Sequence, residues 1–313
     1  MSDAARLDRR AVLEAGGRIA EAVVKTPLVE TRIAGARLWL KCECLQTGGA
    51  FKLRGASNRL LRLTPEERAR GVVAFSSGNH ALGVAIAARR LGIAATIVMP
   101  SDAPKLKVAG TLAEGAEIVF YDRRSENREA IAAELAEERG GVVVPSFDDP
   151  DVIAGQGTVG LEIFDQLGRQ LTRIVTPCGG GGLAAGLALA CPEAAIILVE
   201  PEGWDDMGRS LRGGAIVPVE PNAPPTLCDA LQTPRVSPLT FDILRGAAAH
   251  SVSDAEVTAA VRWAWVEHQL VVEPGGAAAL AAVLCGKVEI DDATVVIVSG
   301  GNIDPGAHGQ LIA

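Results

Sequence analysis

The sequence predicts an α/β protein built on open, mostly parallel sheets. Three observations carry this. Short β-branched runs recur along the chain, and unbroken apolar runs of that length mark strands buried on both faces. Helix-like segments that stop at glycine lie between most of them. Glycine-rich turns follow three of the runs, where open α/β sheets bind their ligands. Strand, helix and strand in alternation is the pattern of right-handed crossovers.

Taken in order, the chain opens on a charged amphipathic segment, Met1 to Val23, with no signal-peptide block. Predicted strands then run from Val72 to Phe75, Ala95 to Met99, Glu117 to Phe120, Val142 to Val144, Arg173 to Thr176, Ala195 to Val199 and Thr294 to Val298. Predicted helices run from Ala81 to Leu91, Lys105 to Glu114 and Arg128 to Arg139, stopping at Gly92, Gly115 and Gly140. The prolines at 218, 221, 224 and 225 exclude a central strand or helix and predict a long surface connection. No internal repeat is present. Residues 71–148 are expected to form a small domain inserted into a larger one made of residues 1–70 and 149–313. Cys42 and Cys44, two apart, are expected on one strand face as a buried structural pair.

The 313 residues suffice for a sizeable core. Net charge is -8, which argues against non-specific binding to nucleic acid or anionic membrane, since both need a basic field. No apolar stretch reaches the ~18 residues of a spanning helix. Six scattered cysteines form no CxxC pair, and a chain this long needs no disulfide staples, so a reducing cytoplasm is expected. Four distant histidines without an HExxH motif argue against zinc.

The glycine-rich turns are Ser76 to His80, Cys178 to Leu183 and Ser299 to Asn302. The second is the strongest. Gly179, Gly180, Gly181 and Gly182 remove every Cβ, so backbone N–H groups can converge on an anion where a helix starts. A dinucleotide is the natural rival, because Glu200 lies about 20 residues on, where a ribose-binding acid would stand. The GxGxxG spacing fails, however, as positions 183–185 are Leu, Ala and Ala. No GK[ST] follows any glycine run, so a P-loop fails too. A single small phosphate fits better. Lys52 sits between Phe51 and Leu53, and a lysine in apolar surroundings has a depressed pKa and is a better nucleophile.

TGGAFKLRGA, SSGNHA, CGGGGLAAG, EPGGAAAL and SGGN occur in this order. Together they resemble the threonine/serine dehydratase and serine racemase family, whose members are fold-type II enzymes dependent on pyridoxal 5'-phosphate (PLP). The resemblance covers roughly residues 26–302. It implies a tryptophan synthase β-like architecture, with two open α/β domains and the cofactor between them.

The resemblance also implies roles. Lys52 matches the lysine that holds PLP covalently and serves as the Cα base. Phe51 matches the residue packed near the cofactor ring, and Asn79 the one bonded to its hydroxyl. Gly179 to Gly182, with Leu183, match the phosphate cup. Ser299 matches the serine facing the ring nitrogen, where a hydroxyl leaves that nitrogen less protonated than a carboxylate would. Ser76, Ser77, Asn79 and His80 match the loop that binds the substrate carboxylate. Ser77 is either a second-face base, as in racemases, or a hydroxyl donor to that carboxylate. Arg128 matches an arginine able to reach a second carboxylate; its alternative is a solvated salt bridge. Glu200, Asp206 and the Trp204 carbonyl match a divalent-metal site for Mg²⁺ or Ca²⁺, against the alternative of a solvated acidic turn.

Two positions depart from the family pattern: Ala230 stands for glycine, and Leu82 for glutamine. The activity implied is β-elimination from L-threonine or L-serine, giving a 2-oxo acid and ammonia. 3-Hydroxyaspartate dehydratase and serine racemase stand as alternatives. A small amino-acid substrate and a homodimer are expected. The absence of a regulatory segment after Asn302 leads to the expectation of a catabolic role.

Overall fold

A computed structural model describes residues 7–168 and 170–313. Helix α1 (Arg9–Ile19) precedes a hairpin of β1 (Leu28–Ile33) and β2 (Ala36–Cys42), followed by α2 (Lys52–Leu61) and α3 (Pro65–Arg70). A repeating run comes next: β3 (Val72–Phe75), α4 (Asn79–Leu91), β4 (Ala95–Pro100), α5 (Lys105–Ala113), β5 (Glu117–Tyr121), α6 (Arg128–Arg139) and β6 (Val142–Val143). The chain continues through α7 (Pro150–Leu167), β7 (Arg173–Pro177), α8 (Gly182–Ala190), β8 (Ala195–Pro201), α9 (Asp206–Gly213) and α10 (Pro238–Ile243). It ends with β9 (Ala248–Val252), α11 (Asp254–His268), α12 (Pro274–Leu284), β10 (Thr294–Val298) and α13 (Pro305–Ile312).

Two sheets result. The large one has the order β1-β2-β10-β7-β8-β9, parallel apart from the β1–β2 hairpin. The small one has the order β5-β4-β3-β6 and is parallel throughout. Helices cover both, which is why their central strands read as apolar runs. Val295, Val296, Ile297 and Val298 of β10 are fully buried, as are Ile97, Val98 and Met99 of β4.

Local chemistry sets the boundaries. Asp149 caps α7 and is followed by Pro150 at the first helical position. Ser253 and Glu256 form a reciprocal capping box at α11. The glycine stops at 92 and 140 fall where the sequence placed them. Three strands escape sequence reading. β1 and β2 carry interleaved charged residues, and β9, Ala-Ala-His-Ser-Val, has no β-branched run. The Cys42–Cys44 expectation is corrected. Both residues are buried, but β2 ends at Cys42 and the chain tightens into a 3-10 turn at Glu43–Leu45, so they share no strand face. Of the amphipathic N-terminal segment, residues 1–6 lie outside the described residues; Arg9–Ile19 is helical.

A buried ionic network fixes α2. Arg54 Nε donates to Glu43 Oε2 at 2.7 Å, and Arg54 Nη1 to Glu162 Oε1 at 2.6 Å. Lys41 Nζ meets Glu162 Oε2 at 2.5 Å. Lys41, Glu43 and Arg54 have no solvent exposure. The network ties the start of α2 to β2 and α7, and with it the lysine that opens α2.

Candidate active site

The cavity lies between the two sheets, beyond the carboxyl ends of β3, β7 and β10. These three strands lead directly into the three glycine-rich turns. The structure gathers Phe51, Lys52, Ser76, Ser77, Asn79, His80, Arg128, Gly179 to Gly182, Leu183 and Ser299 onto its wall.

Lys52 opens α2. Its Nζ donates to the Ser146 carbonyl at 2.9 Å and lies 5.2 Å from the centre of the Phe51 ring. No carboxylate pairs with it among the described residues. Burial of the amine pushes its pKa down to about 8. His80 is 2 % exposed. Its Nε2–H donates to the Val144 carbonyl at 2.9 Å. Burial first, and the Lys52 charge second, push its pKa down to about 3, so the ring is neutral. His80 thus gives the cavity a fixed, neutral stretch of wall. Ser76 Oγ accepts from the Gly78 amide at 3.2 Å, holding the turn before α4. The Ser77 side chain stands half-buried on the same wall.

The tetra-glycine turn passes into α8 without a side-chain cap. Its first amides are therefore left for an anion. Gly181 holds φ +85, a conformation that favours glycine. A Cβ on Gly180 would stand 2.3 Å from the Phe147 ring. An uncapped helix start and a buried amine without a counter-ion, on the wall of one cavity, fit a phosphorylated aldehyde such as PLP. Ser299, 6 % exposed, lines the same cavity. Ala230 lines the cavity as well, so its methyl narrows it. Leu82 packs into the small sheet's core instead.

Arg128 is the first residue of α6, on the small sheet. Its guanidinium carbon lies 5.6 Å from the Phe75 ring centre, and it forms no ion pair among the described residues. Sequence reasoning missed Lys107, Asp229, Glu273, Ser146 and Phe147. Glu273 stands in the EPGGAAAL motif, where an acid before a helix-starting Pro-Gly-Gly was the available signal. Lys107 left no signal, because its partners are distant in sequence.

Glu200, Trp204 and Asp206 lie away from this cavity, at the β8–α9 turn. The Glu200 carboxylate accepts from the amides of Met207 at 3.0 Å and Gly208 at 2.8 Å. Asp206 Oδ2 is buried and has no hydrogen-bond partner among the described residues. Burial pushes Glu200 up to about 8 and Asp206 up to about 7. Trp204 Nε1 donates to the Pro224 carbonyl at 2.8 Å, pinning the proline-rich connection. No cluster of three or more His, Cys, Asp or Glu able to hold a metal occurs among the described residues. An orphaned buried carboxylate oxygen beside a second buried carboxylate is nonetheless an arrangement that a hard cation would relieve.

Comparison with known proteins agrees with this geometry. The family model described as "Pyridoxal-phosphate dependent enzyme" matches residues 19–300. The chain is 43 % identical to an L-threo-3-hydroxyaspartate ammonia-lyase of Saccharomyces cerevisiae, over 96 % of this chain and 95 % of that one. It resembles the structure of maize serine racemase with TM-score 0.91 and 37 % identity, over 97 % and 96 % of the two chains. It resembles the structure of a T.th. threonine deaminase with TM-score 0.88 and 42 % identity, over 95 % and 99 %.

Proposed function

The chain belongs to the family of pyridoxal-phosphate dependent enzymes, and from that premise we propose that it is an ammonia-lyase acting on a 3-hydroxy amino acid, with 3-hydroxyaspartate preferred. The products are a 2-oxo acid and ammonia. The single observation that carries the preference is Arg128, an unpaired guanidinium on the cavity wall. Sequence alone puts threonine or serine first. A cation held over an aromatic ring at the cavity wall is suited to a second carboxylate, which those substrates lack.

PLP, when bound, withdraws electrons from the substrate's Cα. The chain's own residues do the rest. Gly179 to Gly182 and Leu183 hold the phosphate with backbone amides. Asn79 and Ser299 orient the ring, and Phe51 packs beside it. Ser76, Ser77 and the start of α4 bind the α-carboxylate. The Lys52 amine takes the Cα proton, and its depressed pKa suits that task near neutral pH. The β-hydroxyl departs as water, with one proton gained for the one taken from Cα, and water hydrolyses the enamine product to the 2-oxo acid and ammonia.

The supporting test is a keto-acid release panel over serine, threonine and both hydroxyaspartate diastereomers. A kcat/KM for one hydroxyaspartate at least tenfold above serine and threonine is expected. Equal or lower values would return threonine or serine to first place. Serine racemase is the second reading, carried by Ser77 on the cavity wall. It prevails if L-serine racemises faster than it eliminates and Ser77→Ala stops only the racemisation.

The same proposal includes Mg²⁺ or Ca²⁺ held by Glu200, Asp206 and the Trp204 carbonyl. It includes the division into residues 1–70 with 149–313 and residues 71–148. A homodimer in the cytoplasm completes it. Exposed Leu13, Val24 and Phe164, on or beside α1 and α7, support the dimer. The six free cysteines support the compartment. No helix among the described residues is long and apolar enough to cross a membrane.

A further inference from the structure

Glu273 takes no part in the chemistry above, yet it is 2 % exposed beside the cavity. It stands just before α12, with its amide donating to the Gly300 carbonyl at 3.1 Å. Its Oε1 accepts from Asn79 Nδ2. Glycine at 300 makes the space: a Cβ there would stand 2.1 Å from Glu273 Oε1 and 3.2 Å from Asn79 Nδ2.

The orientation of the Asn79 amide can be traced from the backbone. The Gly48 carbonyl can only accept, so the Asn302 atom 2.7 Å from it is the donor Nδ2. That nitrogen also donates to Asn79 Oδ1 at 2.8 Å. Asn79 must then turn Nδ2 the other way, toward Glu273. An ionised carboxylate has only acceptors to offer, so it holds one Nδ2 hydrogen and excludes the flipped amide. The second Nδ2 hydrogen remains for the cavity. A protonated carboxyl would offer a donor as well and lose that discrimination. Lys107 opposes protonation. It reaches across from α5 on the small sheet, with Nζ 3.5 Å from Glu273 Oε2 and 2.5 Å from Asp229 Oδ2. Burial pushes the Glu273 carboxyl up to about 7, and the Lys107 charge is the largest influence pulling it down.

We propose that Glu273, with Lys107 as its counter-ion, is a positioning residue that turns the Asn79 amide so that its N–H faces the cofactor. This rests on the reading above in which Asn79 bonds the ring hydroxyl. Because Lys107 belongs to the small sheet and Asp229 and Glu273 do not, the ion pair also ties cofactor orientation to the apposition of the two sheets.

The test titrates PLP into apoenzyme and reads the dissociation constant and the visible absorbance maximum, neither of which depends on turnover. Asn79→Ala and Glu273→Ala are each expected to raise Kd at least fivefold and to move the band in the same direction. The double variant should be no worse than the worse single. Lys107→Met should move the band the same way, and Lys107→Arg should restore it. A shift in Asn79→Ala with wild-type Kd and band in Glu273→Ala overturns the inference and leaves the cofactor reading intact. Strictly additive effects overturn it too, since the two residues then act separately. No shift even in Asn79→Ala removes the premise. Should Glu273→Ala fail to fold, Glu273→Gln and Lys107→Met carry the same comparison.

Discussion

Lys52 is the residue whose chemistry depends most on its surroundings. Its amine has a carbonyl for a partner and no carboxylate, so burial acts unopposed and lowers its pKa to about 8. The sign follows directly. A lysine with a lowered pKa gains neutral, nucleophilic amine as pH rises through 8. An ordinary lysine at that pH is neutral in only about 1 molecule in 300. Capture of PLP by apoenzyme should therefore accelerate from pH 6 to 8 and level off above about 9. A rate still climbing steeply at pH 10 would mean an unperturbed amine. Lys52→Ala should lose the visible cofactor band and all elimination, and a variant with wild-type turnover would remove Lys52 from the mechanism. The flanking Phe51 and Leu53 made the lysine visible in the sequence. The absence of a counter-ion was not visible, because it depends on Ser146 arriving from 94 residues away.

At the scale of elements, the start of α2 is held by the Lys41–Glu162–Arg54–Glu43 network, and nothing in the sequence pointed to it. Arg54 reads as an ordinary helix-surface arginine until β2 and α7 close around it. Removing one member leaves a buried charge unpaired, which costs about 3–5 kcal/mol. Arg54→Ala should lower unfolding free energy by that amount in urea titration, and a loss under about 1 kcal/mol would show that the site relaxes or hydrates. Elements that bury both faces were legible because their residues announce burial: β3, β4, β7, β8 and β10 fall within a residue or two of the predicted runs. The β1–β2 hairpin and β9 were not, since they lie at or near an edge of the large sheet and carry polar residues. The β8–α9 turn was legible as a match to a divalent-metal site or as a solvated acidic turn, but the burial of its carboxylates was not. Its buried, partnerless Asp206 oxygen leads to a further expectation. Millimolar Mg²⁺ or Ca²⁺ should raise the melting temperature of chelator-treated protein, and Asp206→Ala should abolish that rise. A melting temperature indifferent to chelator and cation would leave a buried acidic turn and no metal site.

Over the whole molecule, function depends on two sheets that share one cavity. The large sheet brings the tetra-glycine turn and Ser299; the small sheet brings the Ser76–His80 loop, Lys107 and Arg128. On the proposed reading, Arg128 would contribute to specificity from a different body of structure than the tetra-glycine turn proposed to hold the phosphate. A distal carboxylate would be gripped from the small sheet while Cα stays fixed by the large one. A charge-assisted pair of this kind contributes about 1.5–3 kcal/mol, which is on the order of 10- to 100-fold in kcat/KM. Arg128→Met should thus lower kcat/KM for 3-hydroxyaspartate by that factor and leave serine within about threefold, because serine has no second carboxylate to lose. Arg128→Lys should recover only part of the loss, as an ammonium keeps the charge but not the planar two-pronged donor geometry. A variant in which serine and 3-hydroxyaspartate fall together would place Arg128 in the closing of the small sheet over any substrate. One in which neither falls would make the guanidinium a partner of Phe75 alone, and the preference for a dicarboxylate would lose its support.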